Sequence, residues 1–300
     1  MRFRSILKVF ILSLACSLFG FNLESTVSFP ETSIRILSFN IRYDNAGDGD
    51  NAWPNRKQMV AQTIRFHKVD IIGIQEALYT QLLDLQALLT EYDWRGVGRD
   101  DGQTKGEFAP VFFKKDYFHV IKSGNFWLSE HPDKPGKGWD AACPRVVTWV
   151  EFKHKRSGTI FYFFNTHFDH MGSEARKNSA VLLLKRIDQI DEKIPLILSG
   201  DFNCTSQEDP YKILTTGLNK KSGLQNSMDI SLYGHYGGTQ TFNGFDEVKR
   251  PGMIIDFIFV KSVEKVLHHG IVAEKWDNRY VSDHYPVYAE IQLRLKNNQQ

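Results

Sequence analysis

Five apolar runs along the chain each end on, or are interrupted by, a polar residue able to hold a metal or a phosphate. They read Ile36-Leu-Ser-Phe-Asn40, Ile71-Ile-Gly-Ile-Gln-Glu76, Phe161-Tyr-Phe-Phe-Asn-Thr-His167, Leu196-Ile-Leu-Ser-Gly-Asp201-Phe-Asn203 and Ile254-Ile-Asp256-Phe-Ile-Phe. Short apolar runs of this kind are buried strands. A carboxylate or imidazole at the rim of a buried strand is costly unless it is paired or holds an ion. Several such groups together therefore predict a site where strand ends converge. A sixth stretch, Ser282-Asp283-His284-Tyr-Pro, opens the last strand-like segment.

Between these runs the period changes. Pro54 suits the first turn of a helix, and Met59, Val60, Thr63, Ile64 and His67 recur at helical spacing up to a strand that begins at Asp70. Leu82, Leu83, Leu85, Leu88 and Leu89 mark a second helix. Ala180, Leu183, Leu184 and Ile187 form the buried side of a third, from about Ser173 to Ile190. Val120 to Leu128, Arg145 to Phe152 and Ile160 to Asn165 are rich in aromatic and β-branched residues, as strands are. Strands in succession with helices grouped between them predict an α/β fold, a four-layer α/β/β/α sandwich with two packed mixed β-sheets. Two stretches read as loops over the site: Glu130 to Cys143 around Trp139, and the polar, glycine-rich Gly217 to Met253.

The chemistry these residues suit is hydrolysis of a phosphate ester, which needs an in-line water, a neutralised phosphoryl group and a stabilised leaving oxygen. Mg²⁺ prefers carboxylate and amide oxygens, and Mn²⁺ accepts the same set; Glu76 is the first choice of metal ligand, with Asn40 alongside it. Strand alternation puts Asp201 and Asn203 on one side; an Asx-type turn ending the strand is the alternative. Asp256 inside an apolar strand needs a cationic partner, and His284 is the natural one. Asp283 is a second candidate ligand for metal or water. Substrate contacts are expected from Arg99, Arg145, His170 and Arg176, with Trp53 and Arg56 nearer the first loop; surface ion pairing is the competing role for each.

The order and wording of the six stretches resemble the endonuclease/exonuclease/phosphatase family, over about Ile34 to Leu293. A single tetrapeptide such as Gly-Asp-Phe-Asn recurs by chance; all six in register, ending in Ser-Asp-His, are far more specific. The resemblance implies the sandwich fold, a metal bound by Glu76, water activation by Asp201, phosphate binding by Asn203, and an Asp256 that orients and charges a catalytic His284. It also uses His167 to choose a branch. Abasic-site endonucleases carry a Tyr there, whereas the deoxyribonuclease, deadenylase, sphingomyelinase and inositol phosphatase branches carry a His in a Thr-His or similar context, as in Thr166-His167. Abasic enzymes further place an Asp two residues after the first Asn, where this chain has Arg42.

Composition refines the substrate and the location. With 300 residues, 42% of them hydrophobic, and no linker-like stretch, the chain is expected to form one domain over about 30–295. Met1-Arg-Phe-Arg-Ser-Ile-Leu-Lys8 followed by apolar residues to about Phe21 reads as a secretory signal within 1–25, with cleavage between Gly20 and Pro30, and predicts a secreted or periplasmic protein. Cys16 after Leu14-Ala15 faintly resembles a lipoprotein box, but Ser13 breaks that pattern, so lipid anchoring is the lesser alternative. Loss of Arg2, Arg4 and Lys8 takes Lys+Arg from 37 to 34 against 35 Asp+Glu, a net of −1. Long nucleic acids normally require a basic footprint, which favours a small or headgroup-like phosphoester. Cys143 and Cys204 either pair or remain buried thiols. The expectation is thus an exported, Mg²⁺-dependent phosphodiesterase, monomeric and without an obligate protein partner, acting on nucleic acid, a phospholipid headgroup or a glycan phosphodiester. An extracellular nuclease is the alternative within the class. A non-catalytic binding module would show gaps among the motif residues, and none is present.

Overall fold

The computed structural model describes residues 33–219, 223–246, 248 and 250–294, so the signal segment and Cys16 lie outside the described residues. The apolar runs form the middle of two sheets. Ser33–Asn40 pairs in parallel with Ile71–Gln75 and antiparallel with Val287–Gln292. Ile160–His167 pairs in parallel with Leu196–Asp201, which takes Asp256–Lys261 antiparallel on its other side. Parallel neighbours need a long crossover, supplied by the helices Trp53–Phe66 and Ser173–Ile187.

Around the first pair lies a seven-stranded sheet in the order His235–Tyr236, Lys265–Ile271, Val287–Gln292, Ser33–Asn40, Ile71–Gln75, Val111–Lys114, Tyr92–Arg95. Around the second lies a six-stranded sheet in the order Phe118–Trp127, Val146–His154, Ile160–His167, Leu196–Asp201, Asp256–Lys261, Gln225–Asn226. Ile36, Phe113, Phe152, Phe163, Ile258 and Ala289 fill the space between the sheets. Helices Trp53–Phe66 and Tyr79–Leu88 bury Ile64 and Leu82 on the first sheet against Leu37, Phe39 and Ile72. Helices Ser173–Ile187 and Asp209–Thr216 do the same on the second, through Leu183, Ile187 and Leu214 against Phe164, Leu198 and Phe202. The result is the four-layer α/β/β/α sandwich.

Several details depart from the sequence reading. The third helix stops at Ile187 and caps on Asp188 instead of reaching Ile190. Gly217 to Met253 is not loop throughout, because Gln225–Asn226 and His235–Tyr236 each add a short edge strand, one to each sheet. Asp256 opens its strand instead of lying inside it. Cys143 and Cys204 are both free, and burial pushes the Cys204 thiol up to about 12.

The sheets come very close at Gly73, where a Cβ would lie 2.0 Å from Ser199 Oγ and 2.5 Å from Asn165 Oδ1. Only a residue without a side chain fits there. Around it runs a buried polar belt: Gln75 Nε2 and Ser199 Oγ donate to Asn165 Oδ1 at 2.7 and 3.1 Å, and Asn165 Nδ2 donates to the carbonyls of Ile74 and Pro110 at 2.6 and 2.9 Å. Buried side chains paired in this way are directional and fix one register of the sheets, although Gln75 Oε1 has no partner among the described residues. Gln75 immediately precedes Glu76, and Asn165 lies two residues before His167, so this belt sets the spacing of the strand ends.

Candidate active site

Ligands of α/β sheets collect at the carboxyl ends of parallel strands, and here two such pairs end at one rim. Asn40 and Glu76 come from the first sheet, His167 and Asp201 from the second. Asp256 and His284 arrive from antiparallel neighbours: Asp256 sits opposite Asp201, and His284 shortly precedes Val287–Gln292. Glu76 and Asn203 both adopt positive φ, 63° and 47°. That conformation is uncommon outside glycine and collects at functional sites. Asn203 therefore meets Asp201 through a turn, its N–H donating to Asp201 Oδ1 at 2.9 Å, and not through strand alternation.

The side chains interlock. Asn40 Nδ2 donates to Glu76 Oε1 at 2.9 Å and to Asp201 Oδ2 at 3.0 Å, and lies 3.5 Å from His284 Nε2. On its far side His284 Nδ1 meets Asp256 Oδ2 at 2.9 Å. Asn203 Nδ2 is 3.0 Å from His167 Nε2 and donates to the Phe168 carbonyl at 3.0 Å. With Nε2 accepting from that amide, His167 carries its proton on Nδ1, which faces Glu107 Oε2 at 3.9 Å. All of these residues except Glu76, Glu107 and Asn203 are buried.

Burial with unequal company splits the titrating groups. Burial pushes the Asp201 carboxyl up to about 7, with Asp256 adding to the shift and His284 opposing it. Burial opposes the charge on His284, but Asp256 and then Asp201 outweigh it and hold the imidazole well above its usual range. His167 is held well below that range by burial, then by Arg145 and Arg99. Asp283 is pushed up to about 6 by burial, against the pull of His284.

Crowded carboxylates of this kind fit a cation. Glu76, His167 and Asp201 each offer a ligand atom, and these atoms all lie within 4.8 Å of one another. Asn40 places its amide between the same two carboxylates. A donor set dominated by hard oxygens suits Mg²⁺ or Mn²⁺ better than a thiophilic metal. Asp201, Asp256 and His284 form a second such cluster, but there the Asp256–His284 hydrogen bond already occupies the pair.

The remaining expected residues divide. Arg99 Nη1 binds Glu107 Oε2 at 2.6 Å, and Arg145 Nη1 lies 3.9 Å from the same oxygen, in the small hollow beside His167. Arg145 is buried on Asp169 at 3.4 Å and contacts His170 Nδ1 at 3.0 Å; Arg176 donates to the Asp169 carbonyl at 3.0 Å. Asp169 thus organises this basic edge. Burial would raise its carboxyl, but the N–H groups of Gly172, Ala142 and Met171, and Arg145, hold it far below the carboxylate range. Asp283 lies 3.8 Å from Arg42. Trp53 and Arg56 are corrections. The Trp53 indole donates to Asp84 at 2.9 Å, and the fully buried Arg56 donates to the carbonyls of Ile41 and Val281 at 2.8 and 2.9 Å, so both support the first loop from beneath.

Sequence reasoning missed three residues. Arg42 brings a guanidinium within 4.0 Å of Glu76 while Asp48 grips it at 3.0 Å. Glu107 stands beside His167, signalled only by an acid opening the apolar stretch Phe108 to Phe113. Phe242 packs edge-on against the His284 ring at 5.1 Å, and no motif pointed to it.

Known proteins share this arrangement of elements. The sequence matches the model of the Endonuclease/Exonuclease/phosphatase family over residues 37–284. An endonuclease/exonuclease/phosphatase from Bacteroides vulgatus is similar in structure, with 43% identity, a TM-score of 0.83, and coverage of 88% of this chain and 100% of that one. The mannosyl-6-phosphatase of Bacteroides thetaiotaomicron gives 37%, 0.79, 86% and 99% for the same quantities. Nocturnin of Rattus norvegicus is 27% identical over 231 residues, which are 68% of this chain and 51% of nocturnin, so the chain spans about half the length of that relative.

Proposed function

We propose a mechanism and a substrate class on the premise that this chain belongs to the endonuclease/exonuclease/phosphatase family, as a hydrolase of phosphoester bonds. The enzyme works with Mg²⁺ on small phosphoesters, sugar phosphates ahead of polynucleotides. The observation that carries this reading is the convergence of Glu76, Asp201, the His167–Asn203 pair and the Asp256–His284 pair at one rim of the sandwich.

Glu76, with Asp201 and His167 in reach, would hold the Mg²⁺, which when bound would supply charge neutralisation at the phosphoryl group; Asn40 would steady the two carboxylates through its amide N–H groups. Asp201 accepts the proton of the attacking water. His284, kept charged by Asp256, turns Nε2 toward the site and stabilises negative charge as it grows on the phosphoryl and leaving oxygens. Asn203 and neutral His167 orient the phosphoryl group, and Arg99 and Arg145 set a positive background behind them.

Two observations support a small substrate. Without its basic leader the chain would carry no excess of positive charge, and its likeness to the mannosyl-6-phosphatase, at 37% identity, exceeds that to the CCR4-Not complex 3'-5'-exoribonuclease subunit Ccr4 of Aspergillus niger, at 22%. The likeness to the Ccr4 exoribonuclease subunit is what supports the phosphodiester expectation. A turnover panel decides between them: mannose 6-phosphate, an aryl phosphomonoester, a bis-aryl phosphodiester, single-stranded RNA and DNA, each with Mg²⁺. The highest kcat/KM is expected on the sugar phosphate. A faster diester or RNA would overturn the small-monoester reading, and no turnover of any substrate would restore the binding-module alternative. Export is part of the same reading, supported by the basic and apolar leader; mass spectrometry of the native protein is expected to find a mature start between Gly20 and Pro30.

A further inference from the structure

Away from the catalytic rim, the edge of the seven-stranded sheet carries a second concavity. Helix Trp53–Phe66 ends at His67, and beyond that end the strands Lys265–Ile271 and His235–Tyr236 border a cavity of about 630 Å³. Pockets for small molecules fall at about 300–1,000 Å³. Tyr233 and Tyr236 wall it with rings that are 69% and 80% exposed. Past Glu274 it continues into a hollow of about 330 Å³ whose wall carries Phe66, 76% exposed, and Trp276, 40% exposed. Glu274 lines both hollows.

The walls are held in place. The Tyr233 ring stacks on His268 at 4.8 Å and 26°, and its N–H donates to the Leu267 carbonyl at 3.2 Å. His235 Nδ1 meets the buried His269 Nδ1 at 2.9 Å, while its Nε2 bonds the Gly238 carbonyl at 2.8 Å. Across the cavity, His67 Nε2 meets Glu274 Oε1 at 3.0 Å.

The lining argues for one kind of occupant. Among the described residues, no lysine or arginine lines either hollow. A polyanion would need such cations. The single carboxylate, Glu274, already faces an imidazole, which weakens the site for a cation. What remains is a set of exposed aromatic faces with planar polar side chains among them, His67, His268, Glu274 and Gln62, able to give or take hydrogen bonds. Exposed aromatic area gathered in one place marks an interaction surface, and rings beside polar groups suit a ligand with apolar faces and hydroxyl edges. We propose that this tract is an accessory binding site for a neutral oligosaccharide, separate from the catalytic residues. Two hollows joined at Glu274 suit an elongated chain of sugars better than a single ring. The proposal goes beyond the catalytic reading and does not depend on which phosphoester is cleaved.

Affinity electrophoresis of the whole protein in gels containing α-mannan, laminarin, xylan or pullulan tests it, with turnover of an aryl phosphate as the control for folding and catalysis. At least one neutral polysaccharide is expected to retard the protein. Tyr236→Ala and Trp276→Ala are expected to weaken retardation by roughly three- to tenfold each, Tyr236→Phe to retain it, and all three to leave aryl phosphate turnover unchanged. Loss of turnover in these variants would place the tract within the catalytic unit and overturn the proposal as stated. So would retardation by none of the four polymers, retention of full binding in both alanine variants, or a self-association in sedimentation that both alanine variants abolish, which would make a second copy of the chain the occupant.

Discussion

Asp256→Asn keeps the shape of the residue but removes the charge that faces His284 Nδ1 at 2.9 Å. At that separation, an effective dielectric of about 20 makes the ion-pair attraction roughly 6 kcal/mol. Burial of both groups offsets part of it, and each ~1.4 kcal/mol that survives into the transition state is a factor of ten in rate. A fall in kcat of about 10²- to 10³-fold with little change in KM is the expected outcome. His284→Ala should lose as much or more, and the double variant should be little worse than His284→Ala, because the two residues act as a unit. The pH profile gives an independent readout. Asp256 is the leading cause that raises His284; a charged His284 is present below its folded pKa and lost above it, so removing the cause should move the alkaline limb of kcat toward lower pH. The assay is steady-state turnover with saturating Mg²⁺ from about pH 5 to 10, with thermal melts as the folding control. Multiplicative losses in the double variant, or an alkaline limb that stays in place, would refute the assignment of the pair.

Activity should vanish in excess chelator and return with Mg²⁺ or Mn²⁺, and Glu76→Gln should raise the metal concentration for half-activity by about tenfold or more, measured by metal titration of turnover. Gly73→Ala drives a methyl to 2.0 Å from Ser199 Oγ and should cost about 1–3 kcal/mol, seen as a Tm several degrees lower; an unchanged Tm would show that the sheets have room to part. Burial, then His235, pushes the His269 imidazole down to about 3. Its contribution is therefore whole above about pH 6.5 and is lost as pH falls toward 3, at about 1.4 kcal/mol per pH unit. Urea melts at pH 7 and 4.5 should show His269→Gln losing less stability across that interval than the wild type.

Much of the fold was legible because these apolar runs close on polar residues, which makes Asn40, Glu76, His167 and Asp201 conspicuous at their ends. The Asp256–His284 contact followed from the same argument, since a buried carboxylate demands a cation. Other parts depended on the third dimension. Arg56 reads as a free cation in sequence, yet its acceptor on Val281 is 225 positions away. Glu107 belongs to the site only because Phe108 bridges to Ala77 and Gly98. The helix Asp209–Thr216 buries just Pro210 and Leu214, too few positions for a period to show. Asn203 reaches Asp201 through the Asx-type turn that stood as the alternative to strand alternation, a choice that the residue types alone left open.

The closeness of the two sheets at Gly73 also bears on how the molecule resists being pulled apart. Asn40 and Glu76 hang from one layer, and His167, Asp201 and Asp256 from the other. A slip of one layer past the other by a single residue, roughly 3.3 Å, would carry His167, Asp201 and Asp256 away from Asn40 and Glu76 and leave no site at all. A divalent cation held by residues of both layers would act as a clasp between them as well as a reagent. By linkage, saturation at a hundred times its Kd would add about 2.7 kcal/mol of stability, drawn from resistance to interlayer shear.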